Sequence, residues 1–122
     1  MTQQVLEYIK ETYGAQPEYL WRDTPANAAI RNSRNGKWFA VLLGDLPLQK
    51  LGIETNQSAD ILNLKCDPML NFSIVDNERI FPGYHMNKEH WISVRLDGCV
   101  DFNEIRMLVD MSYELVNGKN KR

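Results

Sequence analysis

The 122-residue sequence has no apolar run long enough to cross a bilayer. Its longest is Trp38 to Leu43, six residues, against about 20 for a spanning helix. The start, Met1-Thr2-Gln3-Gln4, lacks the charged and apolar regions of a signal peptide. These absences lead us to expect a cytoplasmic protein with no membrane partner. Cysteine is scarce, with only Cys66 and Cys99. A secreted domain built on disulfides carries more, so the pair fits a reducing interior. The chain also lacks a surplus of positive charge. Its net charge of −2 gives no global field to draw it onto nucleic acid.

Catalytic signatures are missing as well. There is no Gly-rich phosphate loop, no His-Glu-x-x-His and no Gly-x-Ser-x-Gly. Cys66, Cys99, His85 and His90 do not have the close spacing of a zinc finger. His85 and His90 stand five apart in a segment that reads as loop. The cysteines are expected to act as small buried hydrophobes. We therefore expect no metal, no cofactor and no enzymatic activity. No repeat, low-complexity tract or composition break divides the chain, which reads as one domain over residues 1–122 and as a monomer.

What is present is ordinary for a globular domain: 43% hydrophobic and 25% charged residues. Val5, Leu6, Ile9 and Tyr13 recur at helical spacing after a potential Thr2 cap, with Gly14 as the stop. Residues 16–27, with Pro17 and Pro25, read as irregular, with Tyr19, Leu20 and Trp21 packing down as a short strand or plug. Ala28 to Asn32 and Trp38 to Leu43 read as a hairpin about Asn35-Gly36, where both residues can take positive φ. Gly44-Asp45-Leu46-Pro47 ends that strand, and 45–60 reads as a loop. Ile61 to Lys65 is a strand. Asp67-Pro68 starts a short helix. Arg79 to Gly83 is a strand, with Pro82 marking either an edge or the strand's end. Trp91 to Leu96 alternates, with Ile92, Val94 and Leu96 on one face and Trp91, Ser93 and Arg95 on the other. Asp101 and Glu104 have capping-box spacing. The helix they open carries a stripe of Ile105, Leu108, Val109, Ser112, Leu115 and Val116, closed by Gly118. The order predicts an α+β fold: an antiparallel sheet with helices packed on one face, α-β(2-3)-α-β(2)-α.

Two clusters carry possible binding chemistry. Residues 24–44 hold Arg31, Arg34 and Lys37 with no acid. These three cations around a turn could release about three counterions from a duplex. The second runs from Tyr84 to Trp91, with His85, Asn87, Lys88, Glu89 and His90 between the aromatics. Lysine and histidine can donate to phosphates, and asparagine can reach base edges. The same side chains could instead fold back to fix a long hairpin. The tail Lys119, Lys121 and Arg122 could touch phosphates or simply favour the negative end of the last helix.

Four segments together resemble a known family. They are Gly36-Lys37-Trp38-Phe39-Ala40, Asn63-Leu64-Lys65-Cys66-Asp67-Pro68, Pro82-Gly83-Tyr84-His85-Met86-Asn87-Lys88-Glu89-His90-Trp91-Ile92, and Ser112-Tyr113-Glu114-Leu115-Val116. Their order and spacing are similar to the MmcQ/YjbR family from about residue 3 to 117. The resemblance implies an α+β fold with a central antiparallel sheet and a double-wing manner of sitting on DNA. On that expectation, Arg31, Arg34, Lys37, His85, Asn87, Lys88, His90 and Arg95 would contact double-stranded DNA, weakly and with strong salt dependence. The alternative is a protein-interaction domain using the open sheet face at Trp91, Ser93 and Arg95. A small-ligand pocket under the loop 45–60 is a third reading.

Overall fold

The computed structural model describes residues 1–118. The expected contacts of Lys119, Lys121 and Arg122 lie outside the described residues. The elements are α1 (Thr2–Tyr13), β1 (Ala28–Arg31), β2 (Trp38–Pro47), a 3-10 turn (Leu48–Leu51), β3 (Ser58–Lys65), α2 (Pro68–Ile74), β4 (Ile80–Pro82), β5 (Trp91–Arg95) and α3 (Phe102–Asn117). The five strands form one antiparallel sheet in the order β1-β2-β3-β5-β4. This is the α+β architecture expected. Pro82 ends an edge strand, where its missing N–H costs no ladder bond. Among the described residues no helix is long and apolar enough to cross a membrane.

The core lies between the sheet and α1 and α3. Directly paired strand residues share a face, so Ala40, Leu42, Leu62, Leu64, Ile92 and Val94 all meet the helices. Val5 and Ile9 from α1 and Ile105, Val109 and Val116 from α3 close on them. Asp110 clasps the two helices by accepting the hydroxyls of Tyr8 at 2.7 Å and Tyr13 at 2.5 Å. Burial and this carboxylate push both phenols above their ordinary pKa. Asp67 caps α2, accepting the Met69 N–H with Pro68 in the first turn, as the sequence indicates.

Several local expectations are corrected. Thr2 does not cap α1. It is the first helical residue, and its hydroxyl donates to Asp60 at 2.6 Å. Strand β2 does not stop at Gly44. It passes through a bulge at Gly44-Asp45 and pairs again at Leu46 with Ala59 and Pro47 with Ser58. Asp45 sits at φ 52, and its N–H donates to Asp60 Oδ1 at 2.8 Å, which holds the bulge. The expected loop thus shrinks to residues 48–57. Its apolar residues fill a second small core of Leu48, Ala59 and Ile61. Only Gly36 of the Asn35-Gly36 pair has positive φ. The turn spans 32–37 because Asn35 instead donates its amide to the Val116 carbonyl, while Asn32 donates to Asn117. Tyr19 and Leu20 are 57% and 47% exposed and form no plug; only Glu18 bridges to Ala29. Leu115 leaves the α3 stripe for solvent, and Cys99 is exposed. Asp101 caps α3 through the Asn103 N–H, but Glu104 turns to Arg79.

Candidate functional site

Strand register decides where the two polar hairpins lie. Ala40 pairs with Leu64, Leu64 with Ile92, and Ile92 with Pro82. The first hairpin tip (32–37) and the segment 83–90 therefore leave the sheet at the same end. Arg34 and Lys37 are exposed there. Lys88 donates one ammonium proton to the Gly83 carbonyl at 2.9 Å, which leaves two. His85 and His90 are exposed beside it. Arg31 reaches the same end but is paired with Glu18 at 3.1 Å.

Arg95 is not at a tip. It sits at the far end of β5, donating to the Glu78 carbonyl at 2.8 Å and to Asp97 at 2.6 Å. Burial disfavours the Asp97 charge, yet the Arg95 guanidinium and Cys99 outweigh it and hold the carboxyl below its usual range. Asn87 is exposed but closes its own turn. Its side-chain carbonyl accepts the N–H groups of Glu89 and His90. From α2, the buried Asn71 donates to the carbonyls of Lys88, Glu89 and Trp91 at 3.1, 3.3 and 3.2 Å. The loop is thus fixed from within, and Asn87 spends its acceptor on that task. The face that carries Trp91 and Ser93 is correctly opposite the helices but is not open. Trp91 is 8% exposed and Ser93 is fully covered, because the chain from Gly83 to Tyr84 folds over them.

That cover creates a site the sequence reading did not locate. On the sheet face away from the helices lies a cavity of about 410 Å³. Its floor is Val41, Leu43 and Asn63 of β2 and β3, with Val41 and Asn63 directly paired. One wall is Trp21 set edge-to-face on Trp38, centroids 5.6 Å apart. The other is Tyr84 stacked on His85 at 4.0 Å. The 3-10 turn after β2 does not cover this cavity; Lys50 and Leu51 border a separate, smaller cleft of about 180 Å³.

The Tyr84–His85 wall is held by Asn63 of the floor and by Ser93. The Asn63 amide donates to the Tyr84 carbonyl at 3.0 Å, and the Tyr84 N–H donates to Ser93 Oγ at 2.8 Å. Ser93 in turn donates to Asn63 Oδ1. Gly83 lets this segment approach, since a Cβ there would stand 2.6 Å from Trp91 Cβ. Across the cavity, Asn27 Oδ1 accepts the Gly44 N–H at 3.0 Å. A Cβ on Gly44 would meet Ala26 at 2.7 Å. His85 holds φ 60, a left-handed conformation uncommon outside glycine. A buried polar network and two close glycine contacts thus set a pair of aromatic walls.

The signal for Trp38 was masked by a second bulge. Ile30 pairs with Ala40 and Arg31 with Trp38, so Phe39 is the extra residue. Phe39 and Ala40 both join the helix-side core, and Trp38 is turned to the opposite face. A continuous apolar run cannot reveal that switch.

Comparison with known proteins follows the same architecture. The YjbR family model matches residues 10–115. The uncharacterized protein YyaQ of Bacillus subtilis is 40% identical over 111 residues, covering 91% of this chain and 93% of that protein. A crystal structure of a Pseudomonas syringae protein superposes with a TM-score of 0.88 at 39% identity, covering 94% of this chain and 97% of the other. A Deinococcus radiodurans protein with a DUF419 domain shares the fold, with a TM-score of 0.73 at 23% identity over all of this chain and 81% of that one.

Proposed function

The chain belongs to the YjbR family, and from that premise we propose that it is a non-catalytic domain that rests its hairpin end on the phosphate backbone of double-stranded DNA. The observation that supports this is the register. Two tips far apart in sequence leave the sheet at one end, with Arg34, Lys37 and Lys88 on them. Two tips at one end of the sheet, with only β3 between their hairpins, can follow one backbone. Arg31 and Arg95 drop out of the contact set, because each is already committed to a carboxylate. Asn87 cannot make the two-point contact by which asparagine reads an adenine, because its carbonyl closes its own turn. Few base contacts remain, so binding is directed at phosphates and is weak.

The test is binding to a generic duplex as salt is raised. Three engaged cations give a log–log slope of about −2.7, so a fourfold rise in salt weakens binding roughly 40-fold. Arg34→Ala/Lys37→Ala should flatten the slope by about two, and Lys88→Ala by about one. Failure to bind even at low salt would end this reading.

A further inference from the structure

The cavity between the two aromatic walls makes no contribution to the phosphate reading. Its features are those of a preformed ligand site. It is about 410 Å³, inside the range of small-molecule pockets. Its lining includes no aspartate, glutamate, lysine or arginine. An edge-to-face pair uses one ring face of its four, so Trp21 and Trp38 keep aromatic surface for a guest. The stacked Tyr84 and His85 keep one face each. The polar groups are few and of the hydrogen-bonding kind. Asn27 has spent its carbonyl on Gly44, which leaves its NH₂ as a donor. Thr24 and the His85 imidazole also border the space. The walls are fixed before any guest arrives, by Asn63 and Ser93 on one side and by the Gly44–Ala26 contact on the other. Such a site loses little ordering entropy on binding.

We infer that this cavity binds an uncharged planar heterocycle of nucleobase size, stacked against the Trp21–Trp38 wall or the Tyr84–His85 wall. Aromatic faces reward a flat ring, and a lining without lysine or arginine leaves any phosphate outside. Donors and acceptors at the edge suit a ring that carries both. The guest could be a free nucleoside or an unpaired base of a strand. The two sources share this chemistry, and salt separates them. Lys37 adjoins Trp38 and Arg22 adjoins Trp21 in sequence, so only a strand brings phosphates to them. The inference stands independently of the duplex reading.

The experiment is a ¹H–¹⁵N titration of the whole protein, first with adenosine, guanosine, cytidine and thymidine, then with a mixed-sequence single-stranded oligonucleotide at low and high salt. Expected are saturable shifts at the amides of Thr24, Asn27, Val41, Asn63 and His85 and at the indole N–H of Trp21 and Trp38, with Trp91 unmoved. Shifts with nucleosides that do not depend on salt identify a free guest. Shifts at the same positions with the oligonucleotide alone, lost at high salt, identify a strand. Trp21→Leu and His85→Ala should each weaken binding about tenfold, the scale of one lost base–aromatic stack. No shift at these positions with any nucleoside at about 1 mM, a very weak affinity, or with the oligonucleotide overturns the proposal. So do shifts confined to Arg34, Lys37 and Lys88, an outcome that leaves the duplex reading intact.

Discussion

Ser112, on the buried face of α3, donates its hydroxyl to the carbonyl of Phe39 in the bulge of β2. The same oxygen accepts the Lys65 N–H at the end of β3, at 2.8 Å. A bulge leaves its extra residue outside the ladder, and Ser112 supplies what the ladder does not. Ser112→Ala removes one side chain but strands two backbone groups in the core. We expect a loss of about 1–3 kcal/mol, a fall in melting temperature of roughly 5–15 °C for a domain of this size. Circular dichroism melts check it. A change below about 2 °C would show that relaxation or water satisfies both groups.

This contact also shows how far the sequence could be read. Ser112 stands in the helical stripe with Ile105, Leu108, Val109 and Val116, so its burial was legible from spacing alone. The same periodicity made element order and fold class legible. The bulges at Phe39 and at Gly44-Asp45 were not, because they are set by partners distant in sequence: Ser112 for one and Asp60 for the other. Each bulge changes which face the following residues take. The aromatic cavity was lost for that reason. Trp38 lay inside an apolar run, and Trp21 lay in a Pro-flanked stretch with no period. The segment 84–90 was legible as unusual, and the Asn87 carbonyl that accepts the Glu89 and His90 N–H groups fits the reading in which side chains fold back to fix the hairpin.

Gly44 needs no positive φ; it needs space. A Cβ there would lie 2.7 Å from both Cβ and O of Ala26. Gly44→Ala must push the 21–27 segment away from β2 and strain the Asn27 bond to the Gly44 N–H. The expected cost is about 1–3 kcal/mol in denaturant unfolding. Trp21 should separate from Trp38, with a red shift of tryptophan emission. Unchanged stability and emission together would show that the wall is looser than its contacts imply.

Asp76 couples stability to acid. Its Oδ1 accepts the N–H groups of Glu78, Arg79 and Ile80 at 3.0, 2.9 and 3.0 Å, and its Oδ2 accepts Arg79 Nε at 3.1 Å. Burial alone would raise its pKa, but the three N–H groups and the guanidinium outweigh it and hold the carboxyl far below the usual range. A carboxylate depressed in the folded state stabilises above its unfolded pKa, near 3.9, and loses that contribution as pH falls below it. Asp76→Asn keeps one acceptor and loses the charge. At neutral pH it should be less stable by about 1 kcal/mol. The gap between variant and parent should close as pH falls from about 4 toward 2. Urea midpoints across that window measure it, and a gap that stays constant would contradict the assignment.

Lys37 and Arg95 are both basic and both near hairpins, yet they should respond in opposite ways. Lys37 is exposed, whereas Arg95 is mostly covered and binds the Glu78 carbonyl and Asp97. Removing Arg95 leaves a part-buried carboxylate without its cation, so Arg95→Ala should destabilise the fold by about 1–2 kcal/mol. Because Arg95 lies at the far end of β5 from the tips, the same variant should leave the salt slope of duplex binding unchanged. Lys37→Ala should do the reverse: no more than about 0.5 kcal/mol in stability, as for other surface changes, and a slope shallower by about one. Paired measurements of urea stability and salt-dependent anisotropy on the two variants decide between a contact set at the tips and charge spread over the sheet. If Arg95→Ala flattens the slope as much as Lys37→Ala, duplex binding is not confined to the hairpin end.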